Sequence, residues 1–196
     1  MKADIHAIHR FWFGPLDAAG FAASEQNRLW FSASEETDTT VRSRFGHLVG
    51  QALAGGLGHW AEDDAGLVAL VLLLDQFTRN IYRGTPEAFA GDDIARQLAQ
   101  QTIAANRHDH LPASHQVFLF LPLEHCEELA VQEQCVQLYR ELAGRSDADR
   151  INGFARYAVA HRDVIARFGR FPHRNAILGR ESSPQELAYL DKHGGF

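Results

Sequence analysis

Several things are scarce in this sequence, and each scarcity removes a class of protein. There are two cysteines, Cys126 and Cys135. Two thiols cannot build a disulfide framework, and on one helix a spacing of nine would hold them too far apart to bridge. Reduced thiols fit a cytoplasm, which is the expected location. The N-terminus has no apolar signal core, and the longest apolar run, Leu67 to Leu74, is far short of a bilayer span, so no membrane association is expected. HExxH, CxxC, Walker, GxGxxG and GxSxG patterns are all missing, which leaves those chemistries without support. No stretch alternates with period two over a useful length, so strands are not expected, and no fixed repeat period is present.

Lysine is nearly absent, with only Lys2 and Lys192 near the ends. The internal cations are therefore arginines, suited to bidentate capture of carboxylate or phosphate, although a genome rich in G and C gives the same bias. The net charge of -6 argues against nucleic acid and anionic membranes as partners. From Arg140 to Arg180 arginines outnumber acids, yet a nucleic-acid role for that stretch ranks last.

What is present is an ordinary soluble composition, 45% hydrophobic and 22% charged over 196 residues. A chain of this length fits one domain, or two small lobes sharing a core, and buries roughly 70% of its unfolded surface without a metal or disulfide. Residues 1–196 read as a single all-helical domain. Asp4 caps a short helix carrying Ile5, Ile8, Phe11 and Trp12, and Phe21 to Phe31 is a weaker segment. Val41, Phe45, Leu48, Val49, Ala52 and Leu53 fall at helical spacing. The next helix is expected over about Asp64 to Tyr82, and another after Asp92 or Asp93 bears Ile94, Leu98, Ala99 and Ile103. Pro112 opens a helix that Pro122 breaks or kinks. Helices are expected from Glu127 to Ala143, from about Asp147 to Phe168, and from the capping box Ser183-Pro184-Gln185-Glu186. Short joints containing Gly and Pro predict stacked antiparallel helix pairs, all-α, as a bundle or superhelix.

Three segments carry polar side chains on faces that should be buried. At 100° per residue Asp75, Gln76, Arg79, Asn80 and Arg83 share an arc of about 140° that upstream holds Val68, Ala69 and Leu72. Asp75 and Arg79 are spaced to pair. A solvated helix end with one surface pair is the ordinary alternative to a buried ionic network. In Leu121-Pro122-Leu123-Glu124-His125-Cys126-Glu127-Glu128, the acids Glu127 and Glu128 suit a helix N-terminus, but His125 between carboxylates is unexplained. His161 lies within about 20° of the centre of the stripe Phe154, Ala158, Ile165 and Phe168, and should be buried, ordinarily as a neutral imidazole with one backbone partner. The loop after it offers Arg170, Phe171, Pro172, His173, Arg174 and Asn175, the ingredients of an anion site or of helix C-caps.

Eleven histidines raise the question of a metal. His108, His110 and His115 lie in a loop without stereotyped spacing, and His6 with His9 suits a surface. No metal and no cofactor are expected.

These same segments resemble a bacterial family known only as domain of unknown function 924. The resemblance rests on Phe11-Trp-Phe-Gly14, Leu74-Asp-Gln-Phe-Thr-Arg-Asn-Ile-Tyr-Arg-Gly-Thr85, Ala88-Phe-Ala90 with Asp92, Leu121-Pro-Leu-Glu-His-Cys-Glu127, and Phe168-Gly-Arg-Phe-Pro-His-Arg-Asn175 with Leu178-Gly-Arg180. It implies a tetratricopeptide-like fold of paired helices and no particular activity. Thr78 stands where the family often has proline, and Cys126 where serine is usual.

Two readings follow. The first is a site for a small anionic molecule, catalytic or not, drawn from Asp75, Arg79, Asn80, Glu124, His125, His161, Arg170, His173, Arg174 and Asn175. In it arginines hold a carboxylate or phosphate and a histidine with Asp75 or Glu124 moves a proton. The second is a non-catalytic helical module for a peptide or protein partner, with exposed aromatics such as Trp30 or Trp60 making contacts.

Overall fold

The computed structural model describes residues 1–195, and among them the regular structure is helical, with one isolated bridge between Leu16 and Ala22. None of the helices is long and apolar enough to cross a membrane. The expected all-α class is the observed one: a packed helical bundle. The chain groups into two compact units. The first is Met1–Arg83 with Glu87–Pro122, and the second is Gly84–Pro86 with the described chain from Leu123 onward.

In the first unit, α1 (Lys2–Trp12), α2 (Gln26–Phe31) and α3 (Glu35–Leu53) come first. Ser34 caps α3 by accepting from the Thr37 amide, which satisfies one orphan N–H. The helix expected over 64–82 is instead α4 (Asp64–Val71), a π-turn over Leu72–Phe77, and α5 (Thr78–Ile81). Asp63 caps its start. Every residue from Gly66 to Asp75 is buried, as the unbroken apolar run requires. Widening the ring to i→i+5 disturbs the carbonyl ladder, and the Thr78 hydroxyl donates to the carbonyls of Leu74 at 2.8 Å and Asp75 at 3.2 Å.

Two more helices follow, α6 (Asp92–Ala104) and α7 (Ala113–Glu124). Pro122 does not break α7, which runs two residues further. The core of the unit is aromatic. Trp12 meets Phe77 at 5.3 Å and Phe118 at 5.6 Å, and Phe45 meets Phe77 at 5.1 Å, in the tilted and edge-on geometries that ring quadrupoles favour. Trp60 is buried, not available to a partner, because Gly66 lets α4 press against its carbonyl. Trp30 is half-buried, its indole N–H donating to the Trp12 carbonyl at 2.8 Å.

His9 and His115, which the sequence did not pair, are packed together between α1 and α7 with ring centroids 4.8 Å apart. His9 donates from Nε2 to the Ala65 carbonyl at 2.8 Å, and His115 lies against Phe13 at 4.5 Å. Burial, then the charge of His9, pushes His115 from its ordinary 6.5 down to about 3. His9 is lowered too, by burial first and then by His6, against the Ala65 carbonyl and Asp63. Folded-state values below the unfolded one mean that the unfolded chain binds more protons under pH 6.5. Stability is therefore complete above about pH 6.5 and falls as the pH drops toward 3. In His115→Phe the melting temperature should decline less between pH 7 and pH 4.5 than in the wild type. Parallel pH profiles would contradict the burial of a neutral pair.

The second unit contains α8 (Leu129–Arg145), α9 (Ala148–Phe168) and α10 (Pro184–His193). Two residues join α8 to α9, and the helices pack side by side with Tyr139 stacked on Phe154 at 6.4 Å. Asp147 caps α9, and Gly169, at φ 70°, closes it by donating to the Ile165 carbonyl. The capping box expected at Ser183 and Glu186 is present. Beyond α9, a tight turn over Pro172–Arg174 lays Phe171 against Val164 and Ile165.

Candidate functional site

The residues singled out from the sequence fall into separate groups. Asp75, inside the π-turn, has no exposure, a position in which an ionised carboxylate needs a partner. Arg79 supplies it: Nη1 lies 3.1 Å from Asp75 Oδ1 and 3.0 Å from Asp92 Oδ1, and Nη2 donates to Asp92 Oδ2 at 3.1 Å. Burial alone would lower the Arg79 pKa, but the two carboxylates outweigh it and raise it. Held by two carboxylates, Arg79 is a poor receptor for an anion. Asn80 turns elsewhere. Its amide donates to Asp38 Oδ1 at 2.8 Å, and Arg83 grips the same carboxylate at 2.6 and 2.8 Å, tying α5 to α3.

Arg170 and Asn175 are also engaged within the second unit. Arg170 holds Glu186 through bonds of 2.7 and 2.9 Å, and Asn175 links Ser182 and Arg180. Glu127 accepts from the Phe171 amide at 2.8 Å and from Arg180 at 2.6 and 3.0 Å. Burial would raise the Glu127 pKa, yet Arg180 and that amide hold it below the ordinary range. These charges are clasps that fix the loop after α9.

A different arrangement surrounds the Phe171 ring. The Arg174 guanidinium sits over its face, 4.7 Å from the centroid, with only 7% of the residue exposed. His161 meets it edge-on at 5.5 Å, His173 lies tilted at 5.6 Å, and His125 is 6.3 Å from His161. Glu124, buried at the end of α7, places Oε1 3.2 Å from His161 Nδ1. The Tyr157 carbonyl lies 2.9 Å from that same nitrogen. With two acceptors facing Nδ1, the proton of neutral His161 belongs there, and Nε2 is the basic nitrogen. Burial, then His125, His173 and Arg174, pushes His161 down to about 3, against the pull of the Tyr157 carbonyl. His173 is pushed down to about 4 by burial and then Arg174, with Glu127 opposing. Both imidazoles are neutral at pH 7.

This group lies within residues 8–194, which match a family model described as a bacterial protein of unknown function, DUF924. The chain belongs to this family. It is also similar to a solved structure of a protein of unknown function, ATU0120, from Agrobacterium tumefaciens. The two share 34% sequence identity and a TM-score of 0.83, over 97% of this chain and 98% of that one. No curated protein matches the chain.

In this DUF924 protein the sequence reasoning missed several partners. Gln132, fully buried on α8, donates from its side-chain amide to the carbonyls of Leu123, Glu124 and Cys126, so it holds Glu124 in place where α7 ends. Nothing local in the sequence marks it. Cys135 is buried beside this group, and burial followed by the charge of Glu124 raises its pKa well above the ordinary value, so it stays a thiol. Among the described residues no group of three or more His, Cys, Asp or Glu side chains is placed to hold a metal ion. A cavity of about 660 Å³ opens in the first unit beside the start of α3, lined by Phe11, Arg28, Ser34, Glu36, Thr37 and Thr40 among others. None of the candidate site residues read from the sequence lines it.

Proposed function

We propose that the second unit carries a site for a small anion, built on Arg174, His125, His161 and His173, with Glu124 orienting His161 for proton transfer. The observation that carries this reading is the double acceptance at His161 Nδ1 by Tyr157 and Glu124 beside a buried guanidinium. That pairing fixes the tautomer, makes Nε2 the base, and leaves Glu124 to stabilise the imidazolium that forms when Nε2 takes a proton. A buried arginine next to three imidazoles is more polar machinery than packing the second unit requires. Arg79, Asn80 and Arg170 do not enter this reading, because carboxylates on neighbouring elements occupy them.

The ligand classes that fit are carboxylates and phosphates. The test is thermal unfolding against phosphates, nucleotides and carboxylates at millimolar levels. A ligand at one hundred times its Kd stabilises by about 2.7 kcal/mol, which is several degrees for a small domain. The rise should scale with concentration and shrink in His173→Asn and Arg174→Gln. A flat response to every anion tried would remove the reading.

A further inference from the structure

We infer that the cavity beside the start of α3 binds a short peptide with both termini free, a zwitterion with an apolar body. All of its lining residues belong to the first unit, so the inference is independent of the anion site around Phe171. Two side chains give the cavity an apolar surface. Phe11 comes from α1, steadied by Phe45 at 5.4 Å and Phe77 at 6.2 Å. Leu29 comes from α2, a helix that buries none of its six residues although Leu29, Trp30 and Phe31 are among them. Trp30 anchors that helix, donating to the Trp12 carbonyl and packing edge-on against Phe118 at 4.7 Å. Leu29 and Phe11 stay partly accessible, and an apolar guest would cover area that folding leaves wet.

Three charged side chains line the same hollow: Glu25, Arg28 and Glu36. Glu25 and Arg28 are spaced to pair, yet none of the three forms an ion pair with another described residue. Asp38, on the same turn of α3 as Glu36, is by contrast gripped by Arg83 and Asn80 and does not line the cavity. A simple anion would meet Arg28 but also two carboxylates, and a simple cation would meet Arg28 as a repulsive neighbour. A molecule with a carboxylate at one end and an ammonium at the other satisfies both signs. The Thr37 and Thr40 side chains also line the wall, and their hydroxyls can donate to or accept from a peptide group. The volume of about 660 Å³ falls within the range of small-molecule sites and suits a guest of about two or three residues.

Amide spectra of the intact, isotope-labelled protein titrated with the dipeptide leucyl-phenylalanine read the site directly. The amides of Ser32, Glu36, Thr37 and Thr40 should shift together and approach saturation near about 1 mM. N-acetylation of the dipeptide and amidation of its carboxylate should each weaken binding by about three- to tenfold. In Arg28→Gln the penalty for amidation should vanish and that for acetylation remain. In Glu25→Gln with Glu36→Gln the pattern should reverse. All three positions are exposed, so these variants keep the fold. Blocked dipeptides that bind as tightly as the parent would overturn the inference, because the termini would not be read. Free phenylalanine binding as tightly as the dipeptide would overturn the peptide assignment. Absence of any shift at about 10 mM dipeptide, or a response to cellobiose in its place, would also overturn it. None of these outcomes bears on the anion site, which is tested with other ligands and other variants.

Discussion

Arg79→Ala is expected to destabilise the first unit by about 3–5 kcal/mol, measured by urea unfolding at pH 7. Asp75 is wholly buried in the π-turn, and Arg79 is its cationic partner at 3.1 Å. Truncating the guanidinium also takes a donor from the Asp75 carbonyl and both contacts from Asp92. A buried charge stripped of its counter-ion costs more than the pair gained on forming, since desolvation remains and attraction does not. Asp75→Asn in the Arg79→Ala background should therefore recover part of the loss. A loss below about 1 kcal/mol, the size typical of exposed pairs, would show that water reaches Asp75.

Gly91→Ala should cost about 3 kcal/mol or more by the same measurement. A Cβ at this position would lie 2.1 Å from the Leu74 carbonyl oxygen and 2.8 Å from its carbon. Both sides of the contact are backbone, the start of α6 and the π-turn, so neither can give way cheaply. The same junction positions Asp92 for Arg79. Gly153→Ala is the matching control, because it lies inside α9 with nothing within 4 Å. There the better helix propensity of alanine should add roughly 0.5–1 kcal/mol. If Gly91→Ala behaved like Gly153→Ala, the close approach of α6 to the π-turn would be wrong.

The helices were largely legible because their signals are local. The capping box at Ser183, the stop at Gly169 and the stripe that buries His161 depend on residues within a turn or two. The π-turn was not legible. A wheel drawn at 100° per residue carries Asp75, Arg79, Asn80 and Arg83 along one face, whereas Arg79 turns to Asp92 and Asn80 and Arg83 turn to Asp38. Periodicity assumes a constant pitch, and the pitch changes at Leu72. Partners distant in sequence were equally hidden. Nothing near Asp38, Gln132 or Glu186 announces Asn80, the end of α7 or Arg170, because such contacts depend on how helices pack. His125, His161, His173 and Arg174 could each be suspected singly, but their arrangement about one phenylalanine ring could not.

The clasp at Glu127 has a wider reach than its own bonds. One carboxylate grips both the Phe171 amide and Arg180, while Arg180 grips Asn175 and the Phe171 carbonyl, so the eight residues between are cinched at the neck. His173 and Arg174 ride on that noose. Loosening it would disorder them without any change to their own chemistry. A scan of damaging substitutions would then score positions 127 and 180 as highly as the imidazoles, and scaffold would pass for site.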